Sequence, residues 1–304
     1  MSGVRSPLHP PYSGVVAQLV RVPACHAGGR GFEPRQPRHS SEGALIGHPF
    51  DVTALHTMTR VGVMKKAFVV LPTYNELDNL SRIVPAILSQ DPSLEILIVD
   101  DNSPDGTGQI ADALASENPR IHVLHRTGKL GLGSAYRDGF KYVLSQGADF
   151  IIEMDADFSH DPAMLPQLLN AMEQSDLVIG SRYKNGISVV NWPLRRLMLS
   201  YGANWYTRLI TGMTIMDCTS GFKCFSRTLL RRINLDSIKS DGYSFQIEMH
   251  FWCSQLNARI SEIPIIFIDR RAGDSKMSKA IVWEAVGMVW KLKFASLFRR
   301  NHHG

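Results

Sequence analysis

From residue 64 onward the chain repeats one pattern: a short apolar run, a polar loop, then apolar residues at helical spacing. Residues 67–71 read as a buried strand ended by Pro72, and residues 77–88 as the helix that follows. Residues 95–99, 121–124, 150–154 and 177–179 read as four further strands. Between them, residues 104–114, 132–144 and 164–172 carry helical spacing. Strands alternating with helices of this length specify βαβ units. The predicted fold is therefore α/β, a doubly wound, mostly parallel sheet with right-handed crossovers and helices on both faces. Ligands of such sheets sit beyond the carboxyl ends of the strands. Chemistry is thus expected in residues 72–76, 100–105, 155–160 and 180–183, where polar and acidic residues gather.

Each of these loops has a functional and a structural reading. In Pro72-Thr73-Tyr74-Asn75-Glu76, Tyr74 could stack on a base and Glu76 accept hydrogen bonds. The same residues suit a helix start, with Asn75 as cap and Glu76 in the first turn. Asp100 and Asp101 adjoin after a buried strand, a costly placement for carboxylates unless they bind something. A carboxylate there can accept N–H donors of guanine or uracil, and Asp105 suits a helix cap. Asp155-Ala156-Asp157, followed by Ser159 and His160, suits a divalent cation, Mg²⁺ or Mn²⁺, that keeps phosphate oxygens and waters among its ligands. His160 reads either as a base or, the preferred reading, as support for that loop. Arg182 in Gly180-Ser181-Arg182-Tyr183 could fork onto phosphate or form an ion pair. Asp269 to Lys276 is a basic, glycine-containing loop after an apolar run at residues 263–268. It could close over a diphosphate or simply connect.

Other chemistries lack their motifs. No G-x-x-x-x-G-K-[ST] occurs, and Gly131-Leu132-Gly133 has no third glycine, so neither a P-loop nor a dinucleotide fingerprint is present. The cysteines, Cys25, Cys218, Cys224 and Cys253, form no C-x-x-C pair. That points away from a zinc ribbon and toward a reducing, cytoplasmic setting, with Cys218 and Cys224 as core thiols. A net charge of +5 without a long basic run fits phosphate-bearing partners better than nucleic acid. No apolar run of about 18 residues or signal peptide is evident, so no transmembrane helix is expected.

Residues 1–63 stand apart, with six Arg but no Lys, seven Pro and five His, and little periodicity. They read as a disordered tail. Val15-Val16-Ala17-Gln18-Leu19-Val20 and Gly29-Arg30-Gly31-Phe32-Glu33-Pro34 moreover resemble the conceptual translation of a transfer-RNA gene. This favours a true start at Met58 or Met64, and a spurious or disordered extension over 1–63.

The ordered series PTYNE, DDNSPDGT, KLGLGSA, DADFSHDP, GSRY, TSGFKCF, GYSFQIE and RAGDSK resembles the family 2 glycosyltransferases. Within them it looks most like the polyprenol- and dolichol-phosphate mannose synthases. The match runs from about residue 66 to 279. The resemblance implies a GT-A fold over 64–276, with an amphipathic helix and tail over 277–304. It implies transfer of mannose from GDP-mannose to a polyprenyl or dolichyl monophosphate. Pro72, Tyr74, Glu76, Val99 and Asp101 would line the nucleoside pocket. Asp155, Ala156 and Asp157 would hold the metal and diphosphate, and Arg182, Arg270 and Lys276 would contact phosphates. Asp155, Asp157 and Arg182 form the implied catalytic set. Lys223 stands where many relatives carry Arg, which keeps the charge and loses the bidentate fork.

Such an acceptor is mostly dianionic at neutral pH and needs no strict general base. Attack opposite the leaving group would invert the anomeric centre. The lipid acceptor places the enzyme at a membrane. Residues 194–213 and 281–300, rich in Leu, Met, aromatic and basic residues, could lie flat in the interface or pack on the core. A partner with membrane helices could supply the anchor instead. The alternatives are a UDP-glucose-dependent polyprenyl-phosphate glucosyltransferase and a non-catalytic nucleotide-sugar-binding protein on the same fold.

Overall fold

The computed structural model describes residues 65–268 and 279–300, with side chains of the last helix described over 285–296. Residues 1–63, with the candidate start Met58, and Met64, Arg270 and Lys276 lie outside the described residues. The strands are β1 (Ala67–Thr73), β2 (Leu94–Asp100), β3 (Ile121–His125), β4 (Phe150–Glu153), β5 (Leu177–Ser181), β6 (Val189–Val190), β7 (Lys223–Ser226), β8 (Ile260–Pro264) and β9 (Phe267–Ile268). The helices are α1 (Leu77–Leu88), α2 (Thr107–Glu117), α3 (Leu132–Ser145), α4 (Leu165–Ala171), α5 (Leu194–Thr211), α6 (Arg227–Arg232), α7 (Gly242–Gln255) and α8 (Lys279–Arg300).

Seven strands form one sheet in the order β3-β2-β1-β4-β7-β5-β8, and β6 pairs with β9 in a separate ribbon. All pairings in the large sheet are parallel except those of β7, which runs antiparallel to both β4 and β5. The twofold alternation of strand side chains splits the core into two layers. Phe68, Val70, Leu97, Val99, Ile151 and Phe225 face α3, α7 and α8. Ala67, Val69, Leu71, Ile96, Ile98 and Ile152 face α1, α2 and α4. Helix α1 buries Leu80, Ile83, Val84 and Ile87, the i, i+3, i+4, i+7 stripe that its spacing predicts. Full burial of each such side chain is worth about 1.5–3 kcal/mol.

The doubly wound, mostly parallel sheet agrees with the sequence expectation, and four local details differ. Pro72 does not end β1, which continues to Thr73. There β1 is laddered only to β2, because β4 pairs no further than Val70, so the missing proline N–H breaks no bond on that side. The start of α1 is capped at Glu76 rather than Asn75, which adopts φ 60° just before it. The apolar run at 263–268 is divided: β8 ends at Pro264 and β9 begins at Phe267. Strand β7 and helix α7 carry motif residues but no periodicity that marks them as elements. β7 is four residues long and begins with a lysine that is wholly buried. α7 is buried on every side from Ser244 to Phe251, so it has no polar face to set a helical period.

Candidate active site

The tips of β1, β2 and β4 lie side by side, and their loops form the acidic end of the sheet. At the β2 tip the carboxylates divide their work. Asp100 is buried and turns inward: Ser103 Oγ donates to its Oδ1 at 2.6 Å and Ser103 N–H to its Oδ2 at 3.2 Å. Asp105 starts two helices, accepting from Thr107 N–H at 3.0 Å and from Leu77 N–H at 3.3 Å. Asp101 pairs with Arg126 Nη1 at 2.6 Å and accepts from Leu130 N–H at 3.2 Å. Burial raises its carboxyl pKa even though Arg126 opposes the shift. Arg126 Nη2 donates to Ser134 Oγ and its Nε lies 3.1 Å from Asp138 Oδ2, so residues 126–131 are strapped across the β2 tip. From this strap Lys129 places its ammonium 4.0 Å from the centre of the Tyr74 ring.

Of the residues expected to line a nucleoside pocket, Pro72, Tyr74 and Glu76 are half-buried at the β1 tip. Glu76 accepts from Asn79 Nδ2 at 2.7 Å. Asp101 joins them but already holds Arg126. Val99 does not reach a pocket with its side chain, which is wholly buried in the α3-facing core layer. The glycines of KLGLGSA prove architectural. A Cβ on Gly133 would meet Ser240 O at 2.6 Å, and Gly133 N–H donates to Asp241 Oδ1 at 2.5 Å. Gly131 adopts φ 100°. Together they let the start of α3 dock against the start of α7.

Beyond β4, Phe158 adopts φ 60°, a left-handed turn that costs an aromatic residue roughly 1–2 kcal/mol. The turn brings Ser159 N–H to Asp157 Oδ1 at 2.9 Å and folds His160 beneath Asp155. Asp155 N–H donates to His160 Nδ1 at 3.2 Å, and Tyr136 Oη donates to Asp155 Oδ1 at 3.4 Å. Burial lowers the His160 pKa to about 4, so the imidazole is neutral at neutral pH. Asp155 and Asp157 are half-buried with Ala156 buried between them. Among the described residues no group of three or more His, Cys, Asp or Glu converges as a metal cage. Two carboxylates at a strand tip are the donor set of a hard cation that takes its remaining ligands from phosphate and water.

Arg182 forks onto Asp217, with Nε at 2.7 Å from Oδ2 and Nη2 at 2.6 Å from Oδ1, and also reaches Thr219 Oγ1 at 2.7 Å. Asp217 and Met216 are fixed in turn by N–H bonds to Glu262 at 3.0 and 2.9 Å. The buried guanidinium lies 5.4 to 5.6 Å from the rings of Trp192, Tyr183 and Phe267. It also lines a cavity of about 280 Å³ between α5, α7 and α8, whose mostly apolar wall includes Trp192, Tyr206, Tyr243, Ile247 and Val289. Neither His160 nor Phe267 lines the cavity, but both stand between its wall and the Asp155 loop: their rings are 5.5 Å apart, and the Phe267 ring lies 5.6 Å from the Arg182 guanidinium and 5.6 Å from the Trp192 ring. Sequence reasoning missed Arg126, Lys129, Tyr136, Asp217 and Glu262. Asp217 directly precedes the CTSGF stretch, and Lys129 opens KLGLGSA, but no spacing rule pointed to their partners.

A parallel α/β sheet whose strand tips carry paired acidic loops is the architecture of a GT-A glycosyltransferase. The model of the family described as "Glycosyl transferase family 2" matches residues 68–234, and the chain belongs to that family. It is a glycosyltransferase. It is 47% identical over 231 residues to an undecaprenyl-phosphate mannosyltransferase of Micrococcus luteus, covering 76% of this chain and 95% of that protein. It is 46% identical over 227 residues to a polyprenol monophosphomannose synthase of Mycolicibacterium smegmatis, covering 74% of this chain and 86% of that one. In fold it resembles glucosyl-3-phosphoglycerate synthase from Mycobacterium tuberculosis. The TM-score is 0.58 at 19% identity, over 75% of this chain and 80% of that one, for its complex with Mn²⁺, UDP-glucose and phosphoglyceric acid.

Proposed function

We propose that this protein transfers mannose from GDP-mannose to a polyprenyl (dolichyl-type) monophosphate, with a divalent cation, Mg²⁺ or Mn²⁺, and with inversion at the anomeric carbon. One observation carries the reading: the Asp155–Asp157 loop is linked to an apolar cavity bearing Arg182 through the ring contacts of His160 with Phe267 and of Phe267 with Arg182 and Trp192. A sugar diphosphate at the first would lie near a lipid phosphate at the head of the second. The names of the two curated relatives support the sugar and the acceptor class. The Mn²⁺ and UDP-glucose bound by the structural neighbour support a metal-assisted nucleotide-sugar site.

Asp155 and Asp157 would hold the cation and the donor diphosphate. When bound, the cation would neutralise charge growing on the departing β-phosphate. Tyr74, with Pro72 and Glu76, would receive the nucleoside, and Lys129 would add a positive charge at that end. Arg182, fixed by Asp217, would contact a substrate phosphate at the head of the cavity, with Arg270 and Lys276 as further phosphate contacts. The acceptor phosphate is itself the nucleophile.

Helix α5 exposes Leu194, Met198, Tyr201, Trp205 and Leu209, and α8 exposes Trp290 and Phe294. Among the described residues no helix is long and apolar enough to cross a membrane. These side chains, with Arg195 and Arg208 alongside, support peripheral contact at the cytoplasmic face of a membrane, each basic residue near anionic lipid adding about 1 kcal/mol. Flotation with anionic liposomes tests this; a chain that stays wholly in the soluble fraction transfers the anchoring role to a partner with membrane helices.

The functional test is incubation with labelled GDP-mannose, Mg²⁺ and polyprenyl phosphate, followed by extraction of a lipid-soluble product. Asp157→Ala should lower turnover at least about 100-fold. GDP should compete and UDP should not. A product formed from UDP-glucose but not GDP-mannose would replace the donor assignment, an α-linked product by NMR would refute inversion, and unaltered transfer by Asp157→Ala would refute the site.

A further inference from the structure

We propose that His160 is a positioning residue of the donor site, acting as a fixed hydrogen-bond acceptor for the backbone of Asp155; this rests on the reading of Asp155 and Asp157 as the cation-diphosphate loop. A backbone N–H can only donate, so His160 Nδ1, which receives it at 3.2 Å, carries no proton. Any proton of the neutral ring is then on Nε2, and the ring's one basic lone pair, on Nδ1, is occupied by the Asp155 N–H rather than free to act as a base. The ring is held from two directions. It stacks on Phe222 with centres 5.0 Å apart and planes 12° apart, and it meets the edge of Phe267 at 5.5 Å. It is almost wholly buried, 3% exposed. His160 lies in the same loop after β4 as Asp155, but its acceptor atom is clamped from outside that loop, by Phe222 just before β7 and by Phe267 of β9. A loop with a left-handed aromatic at Phe158 has a strained backbone that other contacts must hold in place. His160 Nδ1 supplies such a contact at Asp155 itself. Loss of the acceptor frees the Asp155 peptide to turn, and the two carboxylates no longer present a common face to one cation. Groups that orient metal ligands in this way typically change metal affinity by about 10- to 100-fold when removed.

The test separates the acceptor from the ring. His160→Asn keeps an acceptor one bond from Cγ, as Nδ1 is; His160→Leu removes it at similar size; His160→Phe removes it and keeps the stack on Phe222. Mn²⁺ binding to the full chain is measured calorimetrically with saturating GDP, together with thermal melting to establish that each variant is folded. The expected result is an Mn²⁺ affinity about tenfold weaker in His160→Leu than in His160→Asn, with His160→Phe like His160→Leu. His160→Phe serves as the no-acceptor member if His160→Leu fails to fold. Equal affinity in the Asn variant and the no-acceptor variant overturns the proposal, whether or not both differ from wild type. Ring ¹⁵N shifts of wild type should show Nδ1 unprotonated, and a protonated Nδ1 also overturns it. Wild type that takes up no Mn²⁺ with GDP or UDP fails the functional reading itself, and the proposal with it; wild type that binds while the variants do not separate fails the proposal alone.

Discussion

Replacing Lys223 by Met should cost about 3–5 kcal/mol of folding free energy, and a second substitution at its partner should return most of it. Lys223 faces Glu153 across the β4–β7 register, and neither side chain is exposed at all. Nζ lies 3.5 Å from Glu153 Oε2 and also donates to Gln246 Oε1 of α7. Burial pushes the Glu153 pKa up and the Lys223 pKa down, and each partner's charge opposes the shift of the other. At that separation and an effective dielectric of about 20, the mutual attraction is about 5 kcal/mol. The pair is therefore balanced against its own desolvation, so keeping it adds little while breaking it leaves a lone carboxylate in the core. Lys223→Met does that. Glu153→Gln/Lys223→Met does not, because an amide at position 153 is neutral and can donate to Gln246 Oε1. Urea unfolding of the full chain near pH 8 reads both. The single variant's deficit should shrink as the pH is lowered, because burial raises the Glu153 pKa and the unpaired carboxylate takes up a proton more readily than in the unfolded chain. A Lys223→Met midpoint like that of wild type, or a double variant weaker than the single one, refutes the reasoning. Lys223→Arg should also destabilise, by about 1–3 kcal/mol, because the site is fully packed around a lysine.

Gly133→Ala should lower stability by about 1–3 kcal/mol, since its Cβ would lie 2.6 Å from the backbone oxygen of Ser240; an unshifted melting temperature would contradict the docking of α3 on α7. Arg182→Lys gives up the two-pronged contact with Asp217 and should cost about 2–3 kcal/mol by chemical denaturation, with an unchanged midpoint counting against the fork as a fixed structural element. Stability should also fall in mild acid. Burial holds His160 at about 4 and His250 well below 6.5, so both bind protons more readily when unfolded. Their contribution is complete above pH 6.5 and is lost as pH falls toward the folded values, by about 2 kcal/mol for His160 between pH 6.5 and pH 5. His160→Asn should flatten this part of the profile, and an identical slope would assign it to other groups.

The acidic loops were legible because strand ends are: an apolar run followed by Asp or Glu marks a sheet edge whatever the rest of the chain does. Which carboxylates close turns or take a buried arginine was not legible. Asp100, Asp101 and Asp105 look alike in sequence, yet Asp100 and Asp105 close turns and Asp101 takes a buried arginine. Asp155 and Asp157 stayed half-buried at the surface of the same sheet end. The fork expected of Arg182 exists, but the described structure turns it onto Asp217. The glycines that failed a dinucleotide pattern turned out to fit a carboxylate and a backbone oxygen just ahead of α7.

Periodicity alone determined the layered sheet, its parallel sense through the first four strands and the stripes of α1 and α3, because these depend on residues a few positions apart. Tertiary structure alone decided the rest: an antiparallel strand begun by a buried lysine, a helix without a polar face, and the partners of each charge. Asp101 and Arg126 are 25 residues apart, Arg182 and Asp217 35, and Gly133 and Asp241 108. At such distances the selection rests on burial: a charge removed from water must find whichever complement the folded chain brings within reach, and no local pattern encodes that choice.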